Sequence, residues 1–273
     1  KNINNTQELS KLVDKYIIPS EHEAKNQNEY TTPFLLRQNM LNKMPIDFWE
    51  TPQKIFEPSC GKGQFLIDII DKFMVGLKDL IPNEKDRYKK IVEDCLYFSE
   101  KNTTNIFICK LLIDPDNQYN LNYNDGDTLE LDIEEKWNVN GFDCVIGNPP
   151  FKLSPKSSTT LWDKFTIKSL NEWLKPDGYF LFVIPQGWRQ LDNKVGKLML
   201  SKQILYLNMN DAKVGQKIFK CSTQPLADLY NNLLSLGKCL SLTIRPSILN
   251  EAALLIKEPM FLGSVTSSKQ TNV

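Results

Sequence analysis

Histidine is almost missing from this chain of 273 residues, which holds a single one, His22, in the polar stretch Ser20 to Ala24. A Ser-His-Asp hydrolase would have to be built on that residue, and a multi-histidine metal centre has no ligands to be built from. With no catalytic group around it, His22 reads as a solvated surface residue. The six cysteines (Cys60, Cys95, Cys109, Cys144, Cys221, Cys239) form no C-x-x-C pair and follow no regular spacing. They indicate neither a disulfide framework nor a zinc site, and they suit a reducing, cytoplasmic compartment. Long apolar runs are lacking too. Tyr179 to Ile184 is the longest strongly apolar stretch, far short of the roughly 20 residues of a membrane span. No internal repeat, low-complexity tract or targeting segment is legible. Net charge is also absent, with 33 Lys+Arg against 33 Asp+Glu, while 41% hydrophobic and 24% charged residues make an ordinary globular composition with material for a large core.

The zero total conceals an asymmetry. Glu84 to Lys136 holds 13 acidic and 7 basic residues, a net of −6, whereas Lys152 to Lys220 holds 12 basic and 5 acidic, a net of +7. The second half carries the sign that a polyanion would meet, although lysines also solvate ordinary helix faces.

Helical spacing of Leu9, Leu12, Val13, Tyr16 and Ile17 ahead of Pro19 predicts a first helix over 6–18. Thr31-Thr32 followed by Pro33 predicts the N-cap and first turn of a second, with Phe34, Leu35, Met40 and Leu41 inward. Lys54 to Glu57 then reads as a short strand, Pro58-Ser-Cys-Gly-Lys-Gly63 as a glycine turn, and Phe65 to Phe73 as an amphipathic helix. Strand, glycine turn and helix open a nucleotide-binding α/β unit. The alternation continues with strands at Cys95–Phe98, Tyr119–Tyr123, Phe142–Ile146 and Tyr179–Ile184, helices over 105–113 and 161–174, and a Pro-Asp-Gly turn at 176–178. It predicts a doubly wound, mostly parallel α/β sheet with helices on both faces.

Asn148-Pro149-Pro150-Phe151 stands directly after the apolar strand at 142–146 and a glycine. Two prolines exclude helix continuation and donate no N–H, so the loop is stiff and fixes the direction of its carbonyls. Ligands of open α/β sheets bind at the carboxyl ends of strands, where this loop lies. The bland reading is a strand-ending turn capped by Asn.

With these residues in view, the chain resembles the S-adenosylmethionine-dependent adenine-N6 DNA methyltransferases, whose signature is an Asn-Pro-Pro-aromatic loop after the fourth strand. The order Tyr30-Thr31-Thr32-Pro33, then Phe56 to Phe65, then Asn148 to Phe151 is similar to that of their gamma class. The resemblance covers residues 28–225 and implies a Rossmann-like, seven-stranded methyltransferase sheet. It implies S-adenosylmethionine as cofactor, held by Tyr30, Thr31, Thr32, Pro33, Glu57, Pro58, Gly61, Gly63, Phe65, Glu100, Asp127 and Asn148. Within that set, Glu57 would attract the methionine ammonium, Glu100 the ribose hydroxyls and Asp127 the adenine amino group. Asn148, Pro149, Pro150 and Phe151 would be the catalytic loop. Phe151, Phe219, Lys152 and Arg189 would contact the substrate, an adenine flipped from DNA. No metal, histidine or membrane is required by that chemistry.

Lys152, Lys156, Lys164, Lys168 and Arg189 cluster in sequence near the catalytic loop, interleaved with Trp162 and Trp188. They suit a DNA-facing surface, the tryptophans being better placed in a core. The expected organisation is an N-terminal helical segment (1–27), a catalytic domain (28–225) and a short extension (226–273). That extension would be a minimal or truncated target-recognition region, or recognition would come from a protein partner. Two alternatives stay open: a methyltransferase acting on RNA or on protein glutamine, and a catalytically silent nucleic-acid-binding subunit.

Overall fold

A computed structural model describes residues 12–13, 15–16, 31–154, 157–189, 192–209 and 239–245. The chain builds one seven-stranded sheet in the order β3-β2-β1-β4-β5-β7-β6. The strands are β1 (Ile55–Glu57), β2 (Leu96–Glu100), β3 (Asn122–Asp125), β4 (Phe142–Gly147), β5 (Leu174–Pro185), β6 (Gln203–Met209) and β7 (Cys239–Arg245). Strands β1 to β5 pair in parallel, and β7 inserts antiparallel between β5 and β6.

Period-two alternation distributes the strand residues between two cores. Ile55, Leu96, Phe98, Cys144, Ile146, Leu181 and Val183 face one side. There they meet helices α1 (Phe34–Leu41), α2 (Ile46–Trp49), α3 (Gln64–Gly76) and α5 (Thr103–Ile113). Phe56, Tyr97, Phe142, Val145, Phe180, Phe182 and Ile184 face the other, covered by α6 (Ile133–Trp137), α7 (Trp162–Lys168) and α8 (Lys194–Leu200). This is the doubly wound arrangement read from the sequence. Helix α4 (Glu84–Lys90), capped by Asn83, runs into a π-turn at Ile91–Cys95 and thence into β2. Helix and π-turn together lie between α3 and β2.

Several local expectations are corrected. The third strand begins at Asn122 rather than Tyr119, because side chains hold the preceding amides: Asp114 accepts from the backbone of Gln118 and Tyr119, and Glu93 from that of Asn120. Helix α7 stops at Lys168, and a π-turn at Ser169–Trp173 leads directly into β5. The Pro-Asp-Gly segment is not a turn before the fifth strand but a bulge within it. Pairing passes from Phe142↔Leu174 to Cys144↔Tyr179, so residues 175–178 are accommodated opposite one residue, Asp143. Gly178 is required there, since a Cβ would come within 2.8 Å of the Phe142 carbonyl oxygen. Strand β7 lies beyond the last strand read from the sequence, within the segment expected to be a short extension. Of the helix predicted over 6–18, Leu12, Val13, Lys15 and Tyr16 are helical, with Val13 buried; the rest lies outside the described residues. Among the described residues no helix is long and apolar enough to cross a membrane.

Candidate active site

Because β1, β2, β3 and β4 are adjacent and parallel, the segments that follow them emerge at one edge. The first is the glycine loop. Strand β1 ends at Glu57, and Gly61 (φ +52°) and Gly63 (φ +84°) turn the chain into α3 through left-handed conformations that side chains disfavour. At Gly63 a Cβ would stand 3.0 Å from Cys109 Sγ on α5, whereas at Gly61 it would meet nothing within 4 Å. One glycine allows close packing beneath the loop; the other leaves its outer face open. Phe65, expected at the cofactor, is buried in the α3 core at 3% exposure.

Hydrogen bonds stitch the neighbouring loops to this one. Glu100 accepts from the Gly61 N–H at 3.0 Å through one oxygen and from the Asn102 N–H at 2.8 Å through the other. The Ser99 carbonyl accepts from Cys60 N–H. Thr128 donates to the Pro58 carbonyl at 2.8 Å and lies 2.7 Å from the Ser99 hydroxyl. Asp127, next to Thr128, caps a 3₁₀ turn through Leu129 N–H and pairs with Lys101 at 2.9 Å. That Lys101 hydrogen bond holds its carboxyl below the usual carboxylate range, whereas burial raises that of Glu100. In its present contacts Asp127 is thus a turn carboxylate.

Glu57 is 2% exposed, and its Oε2 has no hydrogen-bond partner among the described residues. Burial pushes its carboxyl well above the usual range, Arg37 opposing this and Asp68 adding to it. An acceptor left buried without a donor costs about 1–3 kcal/mol, which marks the position as awaiting a donor. Beside it, Gly147 ends β4. A Cβ there would lie 3.8 Å from Glu57 Cγ and 3.7 Å from Pro58 Cδ, so β4 ends in contact range of the glycine loop and Asn148 follows directly. The Asn148 side chain is half-buried and makes no hydrogen bond among the described residues. Pro149 is buried, and Phe151 packs partly between the two cores. The Phe151 carbonyl accepts from Leu161 N–H, and Lys152 bridges Thr160, closing a short antiparallel loop after the prolines.

A model of the N-6 DNA Methylase family matches residues 13–216. The chain belongs to that family. Modification methylase CviBIII of Paramecium bursaria Chlorella virus NC1A is 24% identical over 206 residues, covering 70% of this chain and 47% of its own length. The chain thus spans about half the length of this curated relative. Among solved structures, a modification subunit assigned to a type I restriction enzyme of Vibrio vulnificus YJ016 superposes with TM-score 0.55 at 14% identity, over 90% of this chain and 51% of the other. The M protein of the type I restriction enzyme EcoKI superposes with TM-score 0.54 at 18% identity, over 81% and 44%. At these identities the likeness is one of fold, the Rossmann-like methyltransferase fold.

Within this family member, the N-terminal motif departs from its sequence reading. Pro33 itself occupies the N-cap of α1 with extended backbone, and no side chain caps the helix. Thr32 is buried and offers its carbonyl to Arg37. Trp162 and Trp188 are buried in the second core. Lys168 donates to the Leu129 carbonyl and pairs with Glu172 at 3.2 Å, which withdraws it from a DNA-facing set. Arg189 is exposed on a 3₁₀ turn after β5. Tyr30, Lys156 and Phe219 lie outside the described residues. Sequence reasoning missed Arg37, Asp68, Ser99 and Thr128. For Asp68 a signal existed, a carboxylate amid the apolar run Phe65-Leu-Ile-Asp-Ile-Ile70.

Proposed function

We propose that this chain transfers a methyl group from S-adenosylmethionine to the N6 amino group of an adenine flipped out of DNA. The observation that carries the reading is that Gly147, which leads into the proline-stiffened Asn148 loop, lies against Glu57, whose buried Oε2 has no hydrogen-bond partner among the described residues. Glu57, Gly61 and Gly63 fit the cofactor, offering a buried acceptor for its ammonium and a loop face open to close approach. Tyr30, Thr31, Thr32 and Pro33 would hold its carboxylate end, Glu100 its ribose, and Pro58 and Asp127 the rest of its nucleoside. S-adenosylmethionine supplies an electrophilic methyl group on a sulfonium sulfur.

The exocyclic nitrogen of adenine is a poor nucleophile because its lone pair is conjugated with the ring. The Asn148 side-chain oxygen and the Pro149 carbonyl would accept its two hydrogens and draw it towards tetrahedral geometry, stabilising the positive charge that develops on it. Pro150 keeps those acceptors in place, and Phe151 stacks on the base. Flipping costs a few kcal/mol, which stacking partly offsets. Lys152, Arg189 and Phe219 would contact the DNA or the extruded base, and a protein partner would supply target recognition. The names of those relatives, a modification methylase and modification subunits of restriction enzymes, support a DNA substrate. Nucleoside mass spectrometry after incubation with labelled cofactor and DNA, RNA or protein tests the reading. Label in N6-methyladenosine from RNA or in glutamine, with none in DNA, would overturn it.

A further inference from the structure

An ion pair that none of the motifs contains, Arg37 with Asp68, acts on Glu57 of the candidate cofactor site. Arg37 on α1, Asp68 on α3 and Glu57 at the end of β1 are 0%, 2% and 2% exposed. Arg37 Nε donates to Asp68 Oδ2 at 2.5 Å, and the same guanidinium donates to the Thr32 carbonyl. One side chain therefore ties the segment ahead of α1 to the helix that the glycine loop opens. Arg37 and Asp68 also act on Glu57 with opposite sign, the guanidinium favouring its ionised form and the carboxylate disfavouring it. Glu100 adds to the latter effect from β2, and in the glycine loop the Cys60 thiol is raised by burial and by Cys109, with a smaller contribution from Glu57.

A buried ion pair is a poor stabiliser, since apolar residues of similar volume hold a core as well or better. A pair buried at this point, tying the Thr32 carbonyl to the helix that follows the glycine loop and acting electrostatically on the buried Glu57, has a use other than cohesion. We propose that Arg37 and Asp68 are positioning residues of the cofactor site: Arg37 fixes the Thr31–Pro33 segment against α3, and the pair together sets the charge that Glu57 presents to a cationic group of the ligand. This rests on the reading that the site takes S-adenosylmethionine. It assigns neither residue a contact with the reacting atoms.

The test is calorimetric titration of the full chain with S-adenosylmethionine over a pH series, alongside thermal denaturation of the free protein. Affinity rises with pH as Glu57 ionises, and Glu57→Gln removes that dependence, which assigns the midpoint to Glu57. Asp68→Asn keeps an acceptor for Arg37 and deletes a like charge, so the midpoint moves to lower pH by roughly one unit. The double variant Arg37→Met with Asp68→Leu leaves no unpaired charge and is expected to fold. It loses the Thr32 tie, and its affinity above the midpoint drops on the order of tenfold, about 1.4 kcal/mol. A folded double variant with unchanged affinity, or an unmoved midpoint in Asp68→Asn, overturns the proposal. Should the double variant not fold, the Asp68→Asn midpoint alone decides. Absence of binding by the wild-type chain refutes the functional reading and this inference with it, an outcome distinct from variants that match a wild type that binds.

Discussion

At the scale of single residues, the candidate site is defined by polar atoms without partners. Asn148 is the sharpest case, a side chain that makes no hydrogen bond among the described residues and whose proposed contribution is to accept one from the reacting amine. Asn148→Ala is expected to lower the methyl-transfer rate by roughly 10²–10³-fold, the scale of deleting one preorganised transition-state hydrogen bond. Cofactor affinity should change far less; rate and affinity are measured separately by single-turnover assay and calorimetry. Glu57 gives a prediction of opposite flavour. Burial raises its carboxyl well above 4.5, so the neutral form suits the fold. The stability this confers is complete below the unfolded value and is lost as pH rises towards the folded one. Glu57→Gln should therefore melt at higher temperature than the wild type at neutral pH, the gap closing as pH falls to about 4.5, while cofactor binding weakens. Equal melting temperatures throughout would mean that Arg37 compensates the carboxylate fully. Of these two residues Asn148 was legible in sequence, because two prolines advertise a fixed loop. The burial of Glu57, on which its electrostatics depend, was not.

At the scale of elements, the glycine loop separates two uses of one residue type. Gly63→Ala places a methyl 3.0 Å from Cys109 Sγ in a left-handed conformation, whereas Gly61→Ala meets the conformational cost alone. Each should lose roughly 1–2 kcal/mol from backbone strain, with Gly63→Ala the less stable of the two in denaturant titration. For Gly61→Ala the fall in cofactor affinity should exceed what its stability loss explains, since the added methyl lies on the open face. Element type was readable wherever periodicity was long: β1, β2, β4, α3 and α5 fall where the pattern put them, with ends displaced by a few residues. It failed where tertiary contacts override local pattern. Asp114 and Glu93 take the amides that would have begun β3 early, and sheet pairing absorbs Pro176-Asp-Gly178 as a bulge. The alternating Leu240, Leu242 and Ile244 did carry a strand signal, but what makes β7 a strand is the pair of neighbours, β5 and β6, that it joins.

At the scale of the whole molecule, a neutral protein proposed to act on DNA needs its charges segregated, and the sequence supplies a −6 segment over 84–136 and a +7 segment over 152–220. Affinity for duplex DNA should fall steeply as salt is raised, because phosphate contacts release counterions; fluorescence anisotropy over a salt series measures the slope. A flat response would exclude the basic segment as a phosphate-contacting surface. Composition, the single histidine, the order of the motifs and the period-two strands are properties of the chain as written, and by themselves they determined the doubly wound class and the loops proposed to carry the chemistry. They did so because hydrophobic period and proline or glycine stiffness act over a few residues. Only the tertiary structure decided which polar groups meet. Arg37 reaches Asp68 across 31 positions, Gly61 reaches Glu100 across 39 and Thr128 reaches Pro58 across 70. Contacts of that separation follow from the parallel order of strands at one sheet edge, which no local pattern encodes.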